Sequence, residues 1–415
     1  MPHLGEGVGF ASYSRGMAFS STDPASNATD AHSAAGTRPD LRVQLDAQRA
    51  TCPVVHGEDG SVTLLAHADV RAAALDPVTF SSAVSAHRAL PNSLDGDEHR
   101  AYRTLIDAYL TPQEVAAQEP QCRAHAAAIV AALPRGETVR TVLDIGTPYA
   151  VRAQSTWLGW PRAMEADLVD WVARNREASR VGDRAQLARV AQDFDALIVG
   201  LLDQRRDGAI DDVTSRLMRD TVEGRPLTDA EIVSILRNWT AGDLGSLAAS
   251  VGVIVHHVAT DVALQSYLRT LMGEGKVQEF EEAMEEILRI DDPFVSNRRV
   301  TTQDVTVGGQ AIAAGTRVIL NWTAANRDPH AFPDPDAFNP QAHAPHNLVF
   351  GIGPHVCPGR DLTLMELRVM VWELLAQTGH VRMSTEREPV RELPPVSGWA
   401  KVPIVLEALP VGASA

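Results

Sequence analysis

Apolar residues recur along much of this chain with the period of an α-helix. Between about residues 98 and 290 they stand three and four positions apart, the spacing of one helix face. Residues 228–260 are the clearest case. Thr228, with Glu231 three positions on, makes a capping box that opens the run. Ile232, Ile235, Leu236 and Trp239 follow on one face, and Ala241, Leu244, Leu247, Ala248, Val251, Val255 and Val258 extend it. At 1.5 Å per residue this predicts a helix roughly 45 Å long. Its second half, LAASVGVIVHHVA, is apolar nearly all round and should be buried on most sides. Such a helix implies one large domain packed around it.

Elsewhere the pattern changes. Residues 1 to about 40 are rich in Ser, Ala, Gly and Thr and read as a weakly ordered lead-in, leaving residues 41–415 as a single domain. SVTLLAHADV alternates like a strand and then turns helical. VTTQDVTVGGQAIAAGTRVIL reads as short strands broken by Gly-Gly and Ala-Gly turns. ANRDPHAFPDPDAFNPQAHAPHN, dense in Pro, Asp and Asn, is a long ordered loop of the kind that serves a site. After LVFGIGPHVCPGR, a further helix carries Leu364, Leu367, Val371, Leu374 and Leu375 on one face. No internal repeat or Gly/Ser linker divides the chain.

Composition narrows this picture only modestly. The 415 residues are 45% hydrophobic and 22% charged, an ordinary globular balance with a large core available. Lys+Arg 37 against Asp+Glu 53 gives a net charge of −16, which argues against a nucleic-acid partner. Three cysteines, Cys52, Cys122 and Cys357, build neither a disulfide framework nor a four-thiolate zinc site. No run of 18 uncharged apolar residues and no secretory signal is seen, so a cytoplasmic protein without a membrane span is expected.

The chemistry concentrates in Phe350-Gly351-Ile352-Gly353-Pro354-His355-Val356-Cys357-Pro358-Gly359. Glycines before and after a cysteine let the backbone approach a flat object closely. A helix begins just beyond, so amides near its start can hydrogen-bond the sulfur and stabilise a thiolate. A lone thiolate suits a soft metal centre with one protein ligand, and it is one of the few ways proteins hold haem iron. For an isolated cysteine, a buried thiol in a Gly-rich turn is the plainer reading; the density of matching positions displaces it here.

On these residues the chain resembles the cytochrome P450 haem-thiolate monooxygenases, from about residue 40 to 410. Phe350, Gly353, His355, Cys357 and Gly359 match that family's haem-binding loop, and Gly351 lies within it. Glu286-Ile287-Leu288-Arg289 is similar to its Glu-x-x-Arg, two charges on one helix face that the family buries beneath the loop. The resemblance implies a mainly α fold: a large helical domain around a long central helix, with a small β-rich region. It implies haem b, with Cys357 as axial ligand of the iron. His99, Arg103, Arg299 and His355 fit the family's contacts to the two haem propionates, for which bidentate arginine is the natural counter-charge. Arg298 could exchange with Arg299.

Over the other haem face, Ala241-Gly242-Asp243-Leu244-Gly245-Ser246 looks like the family's distal signature. Small Ala241, Gly242 and Gly245 leave room for cofactor, dioxygen and substrate. Asp243 and Ser246 share a helix face, and a carboxylate with a hydroxyl can supply the protons that O–O cleavage consumes. The acid does not immediately precede the hydroxyl residue, which departs from the usual pattern. Further departures are Ala337 and Ala342, where the family's meander commonly offers an arginine, and Leu364, where an arginine often follows the loop. His343 or His346 could substitute. His256 and His257 suit the negative pole of the central helix better than a metal. Cys52, Cys122 and the tryptophans Trp157, Trp160, Trp171 and Trp372 read as packing.

The resemblance implies insertion of one oxygen atom of O2 into a small organic substrate. Electrons would come from a ferredoxin and its reductase, docking near Cys357 where Arg360, Arg368 and Arg103 offer positive charge. Phe294, Val295 and Val396 suggest an apolar substrate lining. Two rivals stand beside this reading: a family member that couples or cross-links its substrate or uses peroxide or nitric oxide, motivated by the displaced acid, and a haem sensor or carrier without turnover.

Overall fold

The computed structural model describes residues 40–410 apart from 86–87 and 394–396. Residues 1–39 of the expected lead-in, and Val396, lie outside the described residues. Asp40 is the N-cap of the first helix, Leu41–Thr51, its carboxylate accepting from the Arg42 amide at 3.0 Å.

The central helix spans Asp229–Thr260, 32 residues or about 48 Å. Its capping box is formed as expected: Thr228 Oγ1 accepts from the Glu231 amide at 3.3 Å, and the Glu231 carboxylate accepts from the Thr228 amide at 2.7 Å. Glu231 also holds the Arg225 guanidinium and accepts from the Tyr102 hydroxyl, which ties the helix start to its neighbours. The helix is long and apolar enough to cross a membrane by length and composition. Those apolar positions are taken up by the core: Ile235, Leu236, Val251, Val253, Ile254, Val255 and Val258 have no exposed surface. Helices Thr147–Leu158, Arg184–Asp203, Val277–Ile290 and Arg360–Ala376 surround it.

A π-helical turn, Thr141–Gly146, crosses the central helix at close range. A Cβ added to Gly146 would lie 2.7 Å from the Ala248 carbonyl oxygen, and one on Gly252 would lie 2.8 Å from Val142 Cγ2. Glycine at both positions lets two backbones touch.

The β-rich region is small. Its main sheet orders Val54–His56, Val62–Leu64, Arg317–Asn321, Ser296–Thr301 and Phe80–Ser81. Arg317–Asn321 runs parallel to Val62–Leu64, and the other neighbours are antiparallel. The expected Gly-Gly turn joins Val305–Val307 to Gln310–Ile312, with Gly308 at φ 56° and Gly309 at φ 78°. A separate three-stranded sheet, Val381–Met383, Pro403–Leu406 and Thr138–Arg140, was not visible in the hydrophobic pattern. The strand-to-helix reading of SVTLLAHADV corresponds to Val62–Leu64 followed by helix His67–Leu75.

Helix Val277–Ile290 and the Pro-rich meander are locked by one buried ion pair. Arg289 has no exposed surface and Glu286 only 2%. Arg289 donates Nε to Glu286 Oε2 at 2.7 Å and Nη2 to Oε1 at 2.8 Å. Its remaining donors go to the carbonyls of Asn326, Pro335 and Ala337 at 2.9, 3.1 and 3.2 Å. His343 completes the set, donating Nδ1 to Glu286 Oε1 at 2.6 Å, whereas His346 uses its carbonyl to accept from His67. So His343 is the basic group facing Glu286, with Ala337 contributing only backbone. Leu364 is a core residue, 3% exposed. Burial pushes the Glu286 carboxyl up, but Arg289 and His343 together hold it below the usual carboxylate range. A depressed carboxylate gives stability that is present above its unfolded value and is lost as pH falls through its folded one. Replacing Arg289 by Met leaves a buried carboxylate without its cation and is expected to cost about 3–5 kcal/mol in urea unfolding at neutral pH. A loss below about 1 kcal/mol, the range of surface pairs, contradicts this assignment.

Candidate functional site

Backbone geometry places Cys357. Gly351 and Gly353 adopt φ of 73° and 78°, the left-handed region that other residues avoid. A Cβ on Gly353 would also meet the Ala74 carbonyl oxygen at 2.9 Å. The Cys357 amide donates back to the Phe350 carbonyl at 2.8 Å, and the Val356 amide to Gly353 at 3.0 Å, closing the loop. Helix Arg360–Ala376 starts at once, with Gly359 as N-cap. The Gly359 amide donates to the Cys357 sulfur, and a Cβ there would stand 4.0 Å from Sγ. Arg103 clasps the loop from outside, donating Nη1 to the carbonyls of Pro354 at 2.9 Å and Val356 at 2.8 Å.

Burial, then the carboxyl of Asp243, pushes the Cys357 thiol up to about 12. The Gly359 amide, Arg103 and Arg360 act in the opposite sense. Phe350 lies beneath the Arg360 guanidinium at 5.8 Å from ring centre.

On the central helix, Gly245 is exposed although Leu244 and Leu247 beside it are 1% and 2% exposed. No atom lies within 4 Å of a Cβ built on Gly242 or Gly245. The helix is therefore bare at these two positions, one turn apart. Ala241 is described only as helix backbone. Asp243 and Ser246 do not meet through their side chains. Asp243 Oδ2 accepts from Gln154 Nε2 at 3.2 Å, and the Ser246 hydroxyl donates to the Gly242 and Asp243 carbonyls at 2.9 and 3.2 Å. Burial pushes the Asp243 carboxyl up to about 7, against the Gln154 bond.

Arg299, in strand Ser296–Thr301, is 5% exposed, whereas Arg298 beside it is half-buried. Arg299 donates to the Arg298 carbonyl at 2.8 Å and forms no ion pair among the described residues. The His99 and His355 rings lie 4.2 Å apart centre to centre, tilted by 46°. His355 Nε2 contacts Ser82 Oγ at 3.0 Å and Asp95 Oδ1 at 3.3 Å, while buried His99 Nε2 has no partner. Burial, Arg299 and His99 push His355 down to about 4; burial and then Arg103 lower His99.

Two expectations change. Arg368 offers no surface charge: it is 3% exposed and bound to Glu119 and Glu281. Of the three arginines expected near Cys357, Arg360 has the most exposed side chain, shared with Glu285 and Asp361. Phe294 is 47% exposed, outside the packed core, while Val295 is buried. His256 stacks on Trp399 at 3.9 Å, and no cluster of His, Cys, Asp or Glu among the described residues could hold a metal ion. Gln154, Ser82 and Asp95 were not found from sequence. Asp95 stands just before His99 and could have been suspected; Gln154 carries no local signal.

This arrangement fits a haem. One sulfur is presented on a glycine loop, a glycine stripe leaves flat space, and a buried guanidinium and an unpartnered buried imidazole nitrogen stand where two carboxylates could be held. The family pattern of cytochrome P450 matches residues 279–405. Cyclomarin C epoxidase CymV of Salinispora arenicola is 30% identical over 362 residues, covering 81% of this chain and 88% of that one. Erythromycin C-12 hydroxylase of Saccharopolyspora erythraea is 28% identical over 392 residues, covering 88% and 94%. The open structure of cytochrome P450 EryK from S. erythraea superposes with a TM-score of 0.79 at 26% identity, over 90% of this chain and 97% of that one. The chain belongs to the cytochrome P450 family. It is accordingly a haem b monooxygenase with the P450 fold, served by redox partner proteins and acting on small molecules.

The glycines predict opposite outcomes. Gly245→Ala meets open space in a helix and is expected to be neutral or up to about 1 kcal/mol stabilising. Gly353→Ala combines positive φ with a backbone clash and is expected to cost about 1–3 kcal/mol and to lower haem content. Chemical denaturation and haem absorbance per protein check both; equal stabilities contradict the loop geometry.

Proposed function

We propose that this chain inserts one oxygen atom of O2 into a small organic substrate, by hydroxylation or by O- or N-dealkylation, with electrons from a ferredoxin and its reductase. Residues 41–415 act as one unit. Cys357 would hold the haem iron through its sulfur, and the loop from Phe350 through Gly351 to Gly359 would support it. Arg299, His99 and His355 face the propionates, while Arg103 acts chiefly by holding the loop. The bound haem supplies oxygen activation. The chain's own residues position the substrate and hold protons. The observation that carries the reading is the amide-supported sulfur of Cys357 on its glycine loop, with the Asp243 carboxyl of the central helix near enough to act on it.

Asp243 is the group best placed to hold a proton near the stripe. Its carboxyl, raised to about 7, is half protonated at neutral pH, and Gln154 fixes its orientation. Ser246 bonds its own helix and is free to turn toward a ligand once one is present. A second reading, oxidative coupling without oxygen transfer, is favoured by the separation of the Asp243 and Ser246 side chains. Relatives include cyclomarin C epoxidase CymV, erythromycin C-12 hydroxylase and linalool 8-monooxygenase, so cyclomarin C, erythromycin and linalool are the first compounds to try.

The test is turnover under labelled O2 with a ferredoxin system, using a compound chosen because it shifts the haem spectrum. One labelled oxygen per product is expected; an unlabelled, cross-linked product overturns the oxygenation reading in favour of coupling. In the same assay, turnover should fall as pH rises through about 7, because the acid form of Asp243 is lost. Asp243→Asn should remove that limb and slow turnover about a hundredfold. A variant that keeps both the rate and the pH limb excludes Asp243 from proton supply.

A further inference from the structure

A cavity of about 580 Å³ opens beside the main sheet. Arg184, at the start of helix Arg184–Asp203, lines it together with Asp59, Arg299 and Arg317. Three guanidiniums thus share one hollow with one carboxylate. That carboxylate is already engaged: Asp59 Oδ1 accepts from the Ser61 amide at 3.1 Å and the Ser61 hydroxyl at 2.6 Å. Arg184 and Arg317 form no ion pair among the described residues. Both are exposed, and Arg71, Arg162 and Arg189 likewise form no ion pair among the described residues, so what sets Arg184 and Arg317 apart is the hollow they share.

The cations are also positioned. The sheet register sets Arg317 opposite Val300 and Val318 opposite Arg299, so the two arginines stand on adjacent hydrogen-bonded strands but on opposite faces, Arg299 buried and Arg317 exposed. Arg184 follows a left-handed glycine, Gly182 at φ 67°, and the Asp183 N-cap, whose carboxylate is spent on the Gln186 amide at 2.9 Å. A concave wall lined by one sign of charge concentrates ions of the other sign. In the haem reading above, Arg299 is engaged by the propionates, which leaves Arg184 and Arg317 to select a ligand.

We propose that this cavity recruits substrates bearing a carboxylate or another oxyanion, with Arg184 and Arg317 as the specificity-determining residues. The inference rests on the monooxygenase reading and names the substrate class for it. An apolar body alone gains nothing from these two guanidiniums, whereas an anionic head pairs with both and orients the rest of the molecule.

The test uses haem-loaded protein and matched probes: dodecanoic acid, 4-phenylbutyric acid and indole-3-butyric acid, each against its methyl ester, by calorimetry and by haem spectral titration. At least one acid should bind about tenfold tighter than its ester at low salt, the gap closing at high salt. In R184Q/R317Q the preference should vanish while ester binding stays unchanged. Competition by inorganic phosphate supports a site open to phosphate esters, and its absence supports a carboxylate site. No acid preferred over its ester, or a preference that survives the double substitution, overturns the proposal. A thiolate-type carbonyl spectrum in the same preparation shows that only this proposal has failed. Without that spectrum, the calorimetric difference between acid and ester still reads the anion site by itself.

Discussion

The buried pair of Glu286 and Arg289 is the constraint on which the rest of the site depends. Two full charges placed inside a core are costly unless every donor and acceptor is used. Here Arg289 spends its spare donors on three carbonyls of the meander, and Glu286 accepts from the Asn339 amide and His343. The chain segment from Asn326 to His343 is thereby fixed against helix Val277–Ile290. That segment leads directly into the loop of Cys357, and Asn326 Oδ1 accepts from the Leu348 amide at 2.8 Å at the junction. A Pro-rich stretch with little regular structure becomes a rigid base because two charges need its carbonyls.

From that base the site is assembled by backbone more than by side chains. Positive φ at Gly351 and Gly353 turns the loop, and the Gly359 amide faces the sulfur. The central helix supplies glycines at Gly242 and Gly245 rather than contacts. Its capping box and its touching glycines fix where the bare stripe falls. Polar groups stand beside it, where Arg299 is buried and the His99 ring lies tilted against His355.

Features set by local spacing could be read from the chain alone. The Cys357 loop, the Thr228–Glu231 box and the Gly308–Gly309 turn each depend on residues within ten positions, so sequence order is enough. Features set by tertiary neighbours could not. Whether His343 or His346 faces Glu286 depends on a short helix, Pro340–His343, capped by Asn339. Whether Arg298 or Arg299 is buried depends on which face the sheet turns inward. Arg368 looked like a surface cation because its partners Glu119 and Glu281 lie far away in sequence. Asp243 and Ser246 stand three positions apart on the central helix, yet Gln154, distant in sequence, draws the Asp243 carboxyl to itself.

The central claim is that Cys357 supplies a thiolate to haem iron. Carbon monoxide added to the reduced, haem-loaded protein tests it most directly, since the position of the main absorption band reports the ligand opposite the gas. The account predicts a band of thiolate type that is lost in Cys357→His. A wild-type band of imidazole type, or protein that takes up no haem, contradicts it.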